Sequence, residues 1–337
     1  MTARPIILYG TGNGADKILN ELERLHIPVS GVTASDGFVR SRQFRGFPVR
    51  ALSEITRDFE DPILLVAFGS QRPEVIDSIL RLSQTHTVRC ADVPVYGDNI
   101  FNADFYRAHE KELRTVYDLL GDALSKKTLE CVVRFKLTGE LSGFTGCFSD
   151  KDDVFRDILQ LGQDESYLDL GAYRGDTIAE FLHYTGGFYR HITALEPDEK
   201  TYRKLREAAG HLPHTQLFRM GIWSHDTDLP FHGSVGRGSS IRQDGSRSLP
   251  VTAVDTLYKR RSLSYLKADV EGAEEQALLG SIRTLQRDKP KLNIALYHRS
   301  EDIFKLPLLL HSIQPGYRFF LRQHPHIPAW DLNLYAV

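Results

Sequence analysis

Two groups of residues in this 337-residue chain have the types and spacing to do chemistry. The first is Tyr167-Leu-Asp-Leu-Gly-Ala-Tyr-Arg-Gly-Asp-Thr177, followed by Glu196-Pro197-Asp198. Asp169 closes a short apolar run. Gly171, Ala172 and Gly175 occupy a turn, and Asp176 and Thr177 open a helix with Ile178, Phe181 and Leu182 on one face. Glycines at such a turn let the backbone pass close to a ligand without a Cβ in the way. Glu196 ends a second apolar run, Ile192-Thr-Ala-Leu, at about the spacing at which a nucleotide-binding βαβ unit places its ribose acid. The second group is Asp269 and Glu271, within Lys267-Ala-Asp-Val-Glu-Gly-Ala-Glu274, together with His298 after Tyr297. Two carboxylates and an imidazole just past the ends of two strands can move a proton or hold a divalent cation.

The charges around the glycine turn bear on which nucleotide it would accept. A pyrophosphate prefers bare backbone N–H groups and a helix N-terminus, and Asp169 and Asp176 would repel it. They suit a ligand that presents positive charge, such as the ammonium and sulfonium of S-adenosylmethionine. Arg174 partly offsets this and could meet a carboxylate. Tyr173, Arg174, Trp223 and Arg237 could touch this cofactor or an acceptor, or simply pack.

With 41% hydrophobic and 26% charged residues the chain reads as a soluble globular protein with room for two domains. A formal charge of −2 gives no basic footprint for nucleic acid. No stretch approaches the roughly 20 apolar residues of a membrane span, and the apolar run before Gly10 is too short for a signal peptide. Cys90, Cys131 and Cys147 lack metal-ligand spacing and read as reduced thiols of a cytoplasmic protein. Self-association is left open.

The elements that must position these residues follow an α/β alternation. Pro5–Tyr9 is a strand that enters Gly10-Thr-Gly12-Asn-Gly14-Ala15 and a helix carrying Ile18, Leu19, Leu22 and Leu25. Further strands at 29–33 and 62–68 and a helix from Pro73 complete a small Rossmann-like unit over 1–95. Its G-x-G-x-x-A turn has the dinucleotide form, with Asp36 either a ribose acid or part of a turn. Residues 96–145 read as a helical connector, broken near Gly139, of the kind that packs over a cleft as a cap. From 146 to 337 the alternation resumes: strands ending at Asp169 and Glu196, one at 215–223, then Ser264–Asp269, Lys291–Tyr297 and a hairpin-like close. Leu229 begins an irregular stretch, with a long Gly/Ser-rich loop from Gly233 to Arg247. Ser300 is placed to cap the helix that follows it. His183, His191, His211, His214 and His324 read as surface or ring-packing groups.

In order, Asp-Leu-Gly-Ala-Tyr-Arg-Gly-Asp-Thr177, Leu-Glu-Pro-Asp198, Val-Asp-Thr-Leu257, Leu-Lys-Ala-Asp-Val-Glu-Gly-Ala-Glu274 and Tyr297-His-Arg-Ser-Glu-Asp302 resemble the FkbM family of S-adenosylmethionine-dependent methyltransferases over roughly residues 145–337. The resemblance implies the class I methyltransferase fold, a seven-stranded, mostly parallel sheet with helices on both faces, and O-methylation of sugar or polyketide-type hydroxyls. It implies that Asp169, Gly171 and Gly175 shape the cofactor loop, that Glu196 grips the ribose, and that Asp269 is the acid after the fourth strand. Ala172, Asp176, Thr177 and Pro197 belong to the same cofactor set. The sequence has Gly-Ala-Tyr-Arg-Gly where the fold often has three alternating glycines. The N-terminal part resembles, more loosely, a Rossmann-type domain found at the front of some sugar-modifying enzymes.

Methyl transfer from a sulfonium is an in-line displacement that needs a positioned acceptor oxygen and excluded water. A base that takes the hydroxyl proton contributes about 10²–10⁴-fold. His298 is the preferred base because its ordinary pKa lies near neutrality, with Asp269 orienting the acceptor or sharing the task and Glu271 adjoining. The same three side chains form a candidate divalent-metal site, although Glu271 could instead serve a helix N-terminus and His298 a turn. The expected acceptor is a nucleotide sugar, oligosaccharide or polysaccharide. The rivals are a nicotinamide-dependent oxidoreductase using Gly10, Gly12 and Ala15, and a non-catalytic protein that binds nucleotide sugars.

Overall fold

A computed structural model describes residues 4–39, 43–232, 240–241 and 247–337, with the side chains of 231–247 left aside. Two parallel-type sheets dominate it. The first comprises β1 (Ile6–Tyr9), β2 (Gly31–Ala34), β3 (Gln43–Phe44), β4 (Phe47–Ala51), β5 (Ile63–Val66) and β6 (Thr87–Cys90), in the order β3-β4-β2-β1-β5-β6. Only β3 pairs antiparallel, as a hairpin with β4. The sequence predicts β1, β2 and β5. The two-residue β3 and the strands β4 and β6 carry no such signal: Phe-Pro-Val-Arg-Ala and Thr-Val-Arg-Cys are short runs with polar residues and a proline.

The second sheet comprises β7 (Ser166–Leu170), β8 (His191–Leu195), β9 (Thr215–Phe218), β14 (Tyr265–Ala268), β15 (Lys291–Ala295), β16 (Phe319–Gln323) and β17 (Leu332–Ala336). Its order is β16-β17-β15-β14-β7-β8-β9, with β17 antiparallel to both neighbours. β7, β14, β16 and β17 are buried at every position. Burial on both faces is why they read as nearly continuous apolar runs. The seven-stranded, mostly parallel sheet is the architecture that the FkbM resemblance implies. A small third sheet, β10 (Gly221–Ile222), β13 (Arg247–Thr252), β11 (Thr227–His232) and β12 (Ser240–Ile241), covers one side. The expected single strand at 215–223 is therefore two strands in different sheets, broken between Phe218 and Gly221. The expected irregular stretch from Leu229 begins inside β11, paired with β13. Of the expected Gly233–Arg247 loop, residues 233–239 and 242–246 lie outside the described residues.

One apolar core joins the two large sheets. It includes Ile7, Leu64 and Val66 of the first, Phe101, Val116, Leu129 and Phe135 between them, and Leu168, Leu266 and Leu321 of the second. The helix Ala123–Thr138 packs on β16 and ends in left-handed Gly139, whose carbonyl accepts from Cys90 N–H at 2.9 Å. Lys136 and Asp92 form a buried ion pair at the same junction. The connector thus wedges between the first sheet and the edge of the second. It does not roof the cleft, as the sequence reading supposed: no residue from 101 to 145 lines it. Among the described residues no helix is long and apolar enough to cross a membrane.

Candidate active site

The carboxyl ends of β7, β8, β14 and β15 open onto a cavity of about 510 Å³, where a switch in strand order leaves a crevice in a sheet of this type. At β7 the chain turns through Gly171 (φ +79°), Tyr173 (φ +48°) and Gly175 (φ +88°) into the helix Asp176–Tyr184. A Cβ on Gly171 would stand 1.9 Å from the carbonyl oxygen of Asp269. Glycine is required because two strand ends approach to backbone contact. The amides of Gly171 and Ala172 both donate to Leu195 O, at 3.1 and 3.0 Å, which ties this turn to the end of β8.

Glu196 lies just beyond β8, only 7% exposed, and lines the cavity. Its carboxylate accepts from Tyr173 N–H (3.1 Å) and Asp198 N–H (2.8 Å). Burial nevertheless raises its pKa to about 7, with Asp198 adding repulsion. Pro197, Asp176 and Thr177 also line the cavity.

Asp169, Ala172 and Gly175 do not. Asp169 is fully buried; its Oδ2 accepts from Thr177 Oγ1 at 2.5 Å, and its Oδ1 lies 3.7 Å from Lys267 Nζ. Burial raises the Asp169 pKa against the pull of Lys267. Asp169 therefore braces the helix start and Lys267 from beneath the cavity lining. Ala172 is fully buried, and Gly175 packs against Leu205 and Ala208. Both shape the turn from behind.

The other flank of the cavity is the turn after β14. Glu271 (φ +52°) and Gly272 (φ +93°) adopt left-handed backbone there, and Asp269 and Glu271 both line the cavity. Asp269 Oδ1 accepts from Tyr297 Oη at 3.0 Å, and Asp269 Oδ2 stands 3.8 Å from Lys267 Nζ. His298 is fully buried behind them. Its Nδ1 is 2.9 Å from Glu274 Oε1, and its Nε2 is 3.4 Å from Asp269 Oδ1 and 3.7 Å from Glu271 Oε2. Burial alone would depress its pKa. Glu274 first, then Asp269 and Glu271, overcome this and raise it to about 10. The ordinary pKa that made His298 the preferred base is displaced upward, and the ring sits behind Asp269, outside the cavity lining.

Several cavity residues carried no signal in isolation. Lys267 did: a lysine inside a strand buried on both faces needs ionic partners. Here they are Asp169 and Asp269, which outweigh the effect of burial and raise its pKa. Lys151, at the start of the short helix Lys151–Asp153, pairs with Glu180 at 2.8 Å and lines the cavity. Asn293, Trp330 and Asp331 come from β15 and the β16–β17 connection. Gly69 and Gln71, just past β5, close the mouth. Gly69 lets Trp330 lie against it, since a Cβ there would stand 2.6 Å from the indole. The bridge Ser70–Ile327 holds the two loops together. Among the described residues the lining holds seven carboxylates, two lysines and no arginine. Tyr173 lines the cavity; Arg174 stacks on Tyr173 at 4.9 Å; Trp223 packs with Leu249 and Val251; Arg237 lies outside the described residues.

Asp36 lies in a turn just past β2, the turn alternative, and accepts from Ser53 N–H at 3.1 Å at the start of the helix Leu52–Asp58. His324 packs edge-on against the Tyr335 ring, as expected, and is buried, with Nδ1 2.9 Å from Ser149 O and Nε2 2.8 Å from Tyr335 Oη. One other expectation changes. Ser300 does not cap the next helix: its hydroxyl donates to Asn99 O at 2.6 Å, while Asp302 accepts from Arg299 N–H.

The model of the methyltransferase FkbM domain matches residues 169–331, from the acid that ends β7 to the loop before β17. Over this stretch, just under half of the chain, the protein is similar to an FkbM methyltransferase domain. The whole chain is similar in structure to a methyltransferase FkbM from Methylobacillus flagellatus, with a TM-score of 0.75 and 22% identity over 99% of this chain and 90% of that one. The likeness extends through the first sheet and the connector as well as the FkbM domain. Lower-scoring likenesses include an Aeropyrum pernix fibrillarin with natively bound S-adenosyl-L-methionine (TM-score 0.36, 16% identity, 56% of this chain and 73% of that one). Another is an rRNA methylase from Streptococcus thermophilus (0.35, 16%, 55% and 92%). No curated protein matches the chain.

Proposed function

We propose that this FkbM-like chain takes S-adenosylmethionine as donor and methylates a hydroxyl of a sugar or glycan. The observation that carries the donor assignment is Glu196, a buried carboxylate aimed into the cavity from the end of β8, one strand from the Gly171 turn. Its two oxygens can accept from the two ribose hydroxyls, and the surplus of carboxylates suits a cationic sulfonium. In this reading Gly171, Asp176, Thr177 and Pro197 surround the donor, while Asp169, Ala172 and Gly175 fix the turn.

Asp269 takes the hydroxyl proton. It faces the cavity, with Lys267 Nζ 3.8 Å and His298 Nε2 3.4 Å from its carboxylate and Tyr297 Oη donating to it at 3.0 Å. Glu271 shares the flank. The acceptor side offers aromatic faces and side-chain amides, Trp330 and Tyr297 with Asn293 and Gln71, a lining suited to an uncharged sugar ring. The excess of carboxylates favours an oligosaccharide or polysaccharide end over a nucleotide sugar, whose diphosphate they would repel.

Calorimetric titration with S-adenosylmethionine, S-adenosylhomocysteine and NAD tests the donor. Saturable binding of the first two, abolished by Glu196→Ala, is expected. NAD binding without S-adenosylmethionine binding would favour the oxidoreductase reading instead. Methyl transfer from labelled donor across a panel of neutral glycans and nucleotide sugars tests the acceptor class.

A further inference from the structure

Among the described residues Lys151 and Lys267 are the two lysines of the cavity lining, and they lie near enough to repel one another. Both border one lobe of the cavity, between the second sheet and the helix Asp176–Tyr184. Lys267 projects from the sheet. It stands on β14 between Asp169 of β7 and Asn293 of β15, with Tyr335 of β17 next in the row. Lys151 enters from the short helix Lys151–Asp153 and pairs at 2.8 Å with Glu180 of the helix Asp176–Tyr184.

An ammonium carries more donors than these partners take. Lys151 Nζ donates to Glu180 Oε1, and its side chain stays 45% exposed at the cavity rim. Lys267 Nζ reaches Gly171 O at 3.4 Å, with Asp169 and Asp269 at 3.7 and 3.8 Å. Asn293 adds an acceptor to the same lobe. It is 9% exposed and lines the cavity, yet its Oδ1 completes no hydrogen bond among the described residues. Spare ammonium donors beside a spare amide oxygen and the Glu180 carboxylate complement the carboxylate and ammonium of an α-amino acid.

The lobe also lies in the direction a donor held by Glu196 must take. Glu196 ends β8, the Gly171 turn ends β7, and Lys267 is on β14. From β8 to β14 is two strand spacings, about 10 Å, an interval that an extended amino-acid arm covers from the ribose hydroxyls. With S-adenosylmethionine as the donor, as proposed above, we infer that Lys151, together with Lys267, grips its α-carboxylate, while Asn293 Oδ1 and Glu180 receive its α-ammonium. Lys151 lies upstream of the stretch at 169–331 that the FkbM model matches, so a residue outside that stretch completes the donor site. Its role is specificity: it distinguishes the intact donor from a nucleoside that lacks the amino acid.

Calorimetric titration of the full chain with S-adenosylhomocysteine and with methylthioadenosine, which keeps the nucleoside and thioether but has no amino acid, tests this. Lys151→Met should weaken S-adenosylhomocysteine binding at least about tenfold and leave methylthioadenosine within about twofold. Glu196→Ala should weaken both. Circular dichroism establishes that the variants are folded, and Lys151→Gln replaces Lys151→Met if the latter is not. Unchanged S-adenosylhomocysteine affinity in the Lys151 variant, or an equal loss for both ligands, overturns the role of Lys151 and leaves the donor assignment standing. Binding of neither ligand by the natural protein overturns both.

Discussion

Glu196 makes donor binding sensitive to pH in the neutral range. Its carboxyl is raised to about 7 in the unliganded protein, chiefly by burial. The ionised form accepts from both ribose hydroxyls and binds more tightly than the protonated form, which spends one oxygen as a donor; at pH 6 about a tenth of the molecules are ionised and at pH 8 about nine tenths. The Kd for S-adenosylmethionine should therefore be about tenfold weaker at pH 6 than at pH 8, near 1.4 kcal/mol. Stability moves with the same group. The unfolded chain loses this proton near the ordinary value of 4.5 and the folded chain near 7, so the folded form holds the extra proton between those values. Stability falls as pH rises through that window, by about 3 kcal/mol once both forms are ionised. Saturating donor at about 100 times Kd should restore about 2.7 kcal/mol above pH 7. Calorimetry and thermal melts from pH 5.5 to 8.5 measure both. Glu196→Gln should bind weakly and lose the pH dependence. A flat Kd in the natural protein, or the same pH profile in Glu196→Gln, would refute the reasoning.

Three further outcomes are expected. Gly171→Ala forces a Cβ onto Asp269 O at a left-handed position, so it should lose about 2–4 kcal/mol in a denaturant melt and weaken donor binding. Asp269→Asn should lower turnover about 10²-fold or more at saturating donor, read as labelled methyl transfer to whichever glycan the screen identifies. Asp92→Ala strands Lys136, whose side chain is 4% exposed, and should cost about 3–5 kcal/mol of stability, with donor affinity unchanged in the fraction still folded.

The site was legible where local rules force residue type. Gly171 and Gly175 are demanded by the turn itself, Glu196 by its distance from that turn, and Lys267-Ala-Asp-Val-Glu-Gly-Ala-Glu274 by its order after them. What those side chains do was not legible. Asp169 and Asp269 are each an acid after an apolar run, yet Asp169 is sealed beneath Thr177 and Lys267 while Asp269 opens to the cavity. The register of β7 against β14, which sets Lys267 beside Asp169, makes that difference, and no local pattern encodes it. β4 and β6 were missed for a related reason: their burial comes from neighbours distant in the chain, not from a repeat within a few residues.

Alternating apolar segments and punctuating glycines thus determined the sheet, its reversed strand and the loops that carry the chemistry, because backbone sterics and hydrophobic period act over a few residues. Only the tertiary structure decided protonation and exposure. His298 has an ordinary imidazole's chemistry in the sequence. It becomes a buried cation because Asp269, Glu271 and Glu274 close round it as the turn after β14 is pressed against the end of β15. Electrostatic energy depends on distance and solvent access in three dimensions, and folding sets both.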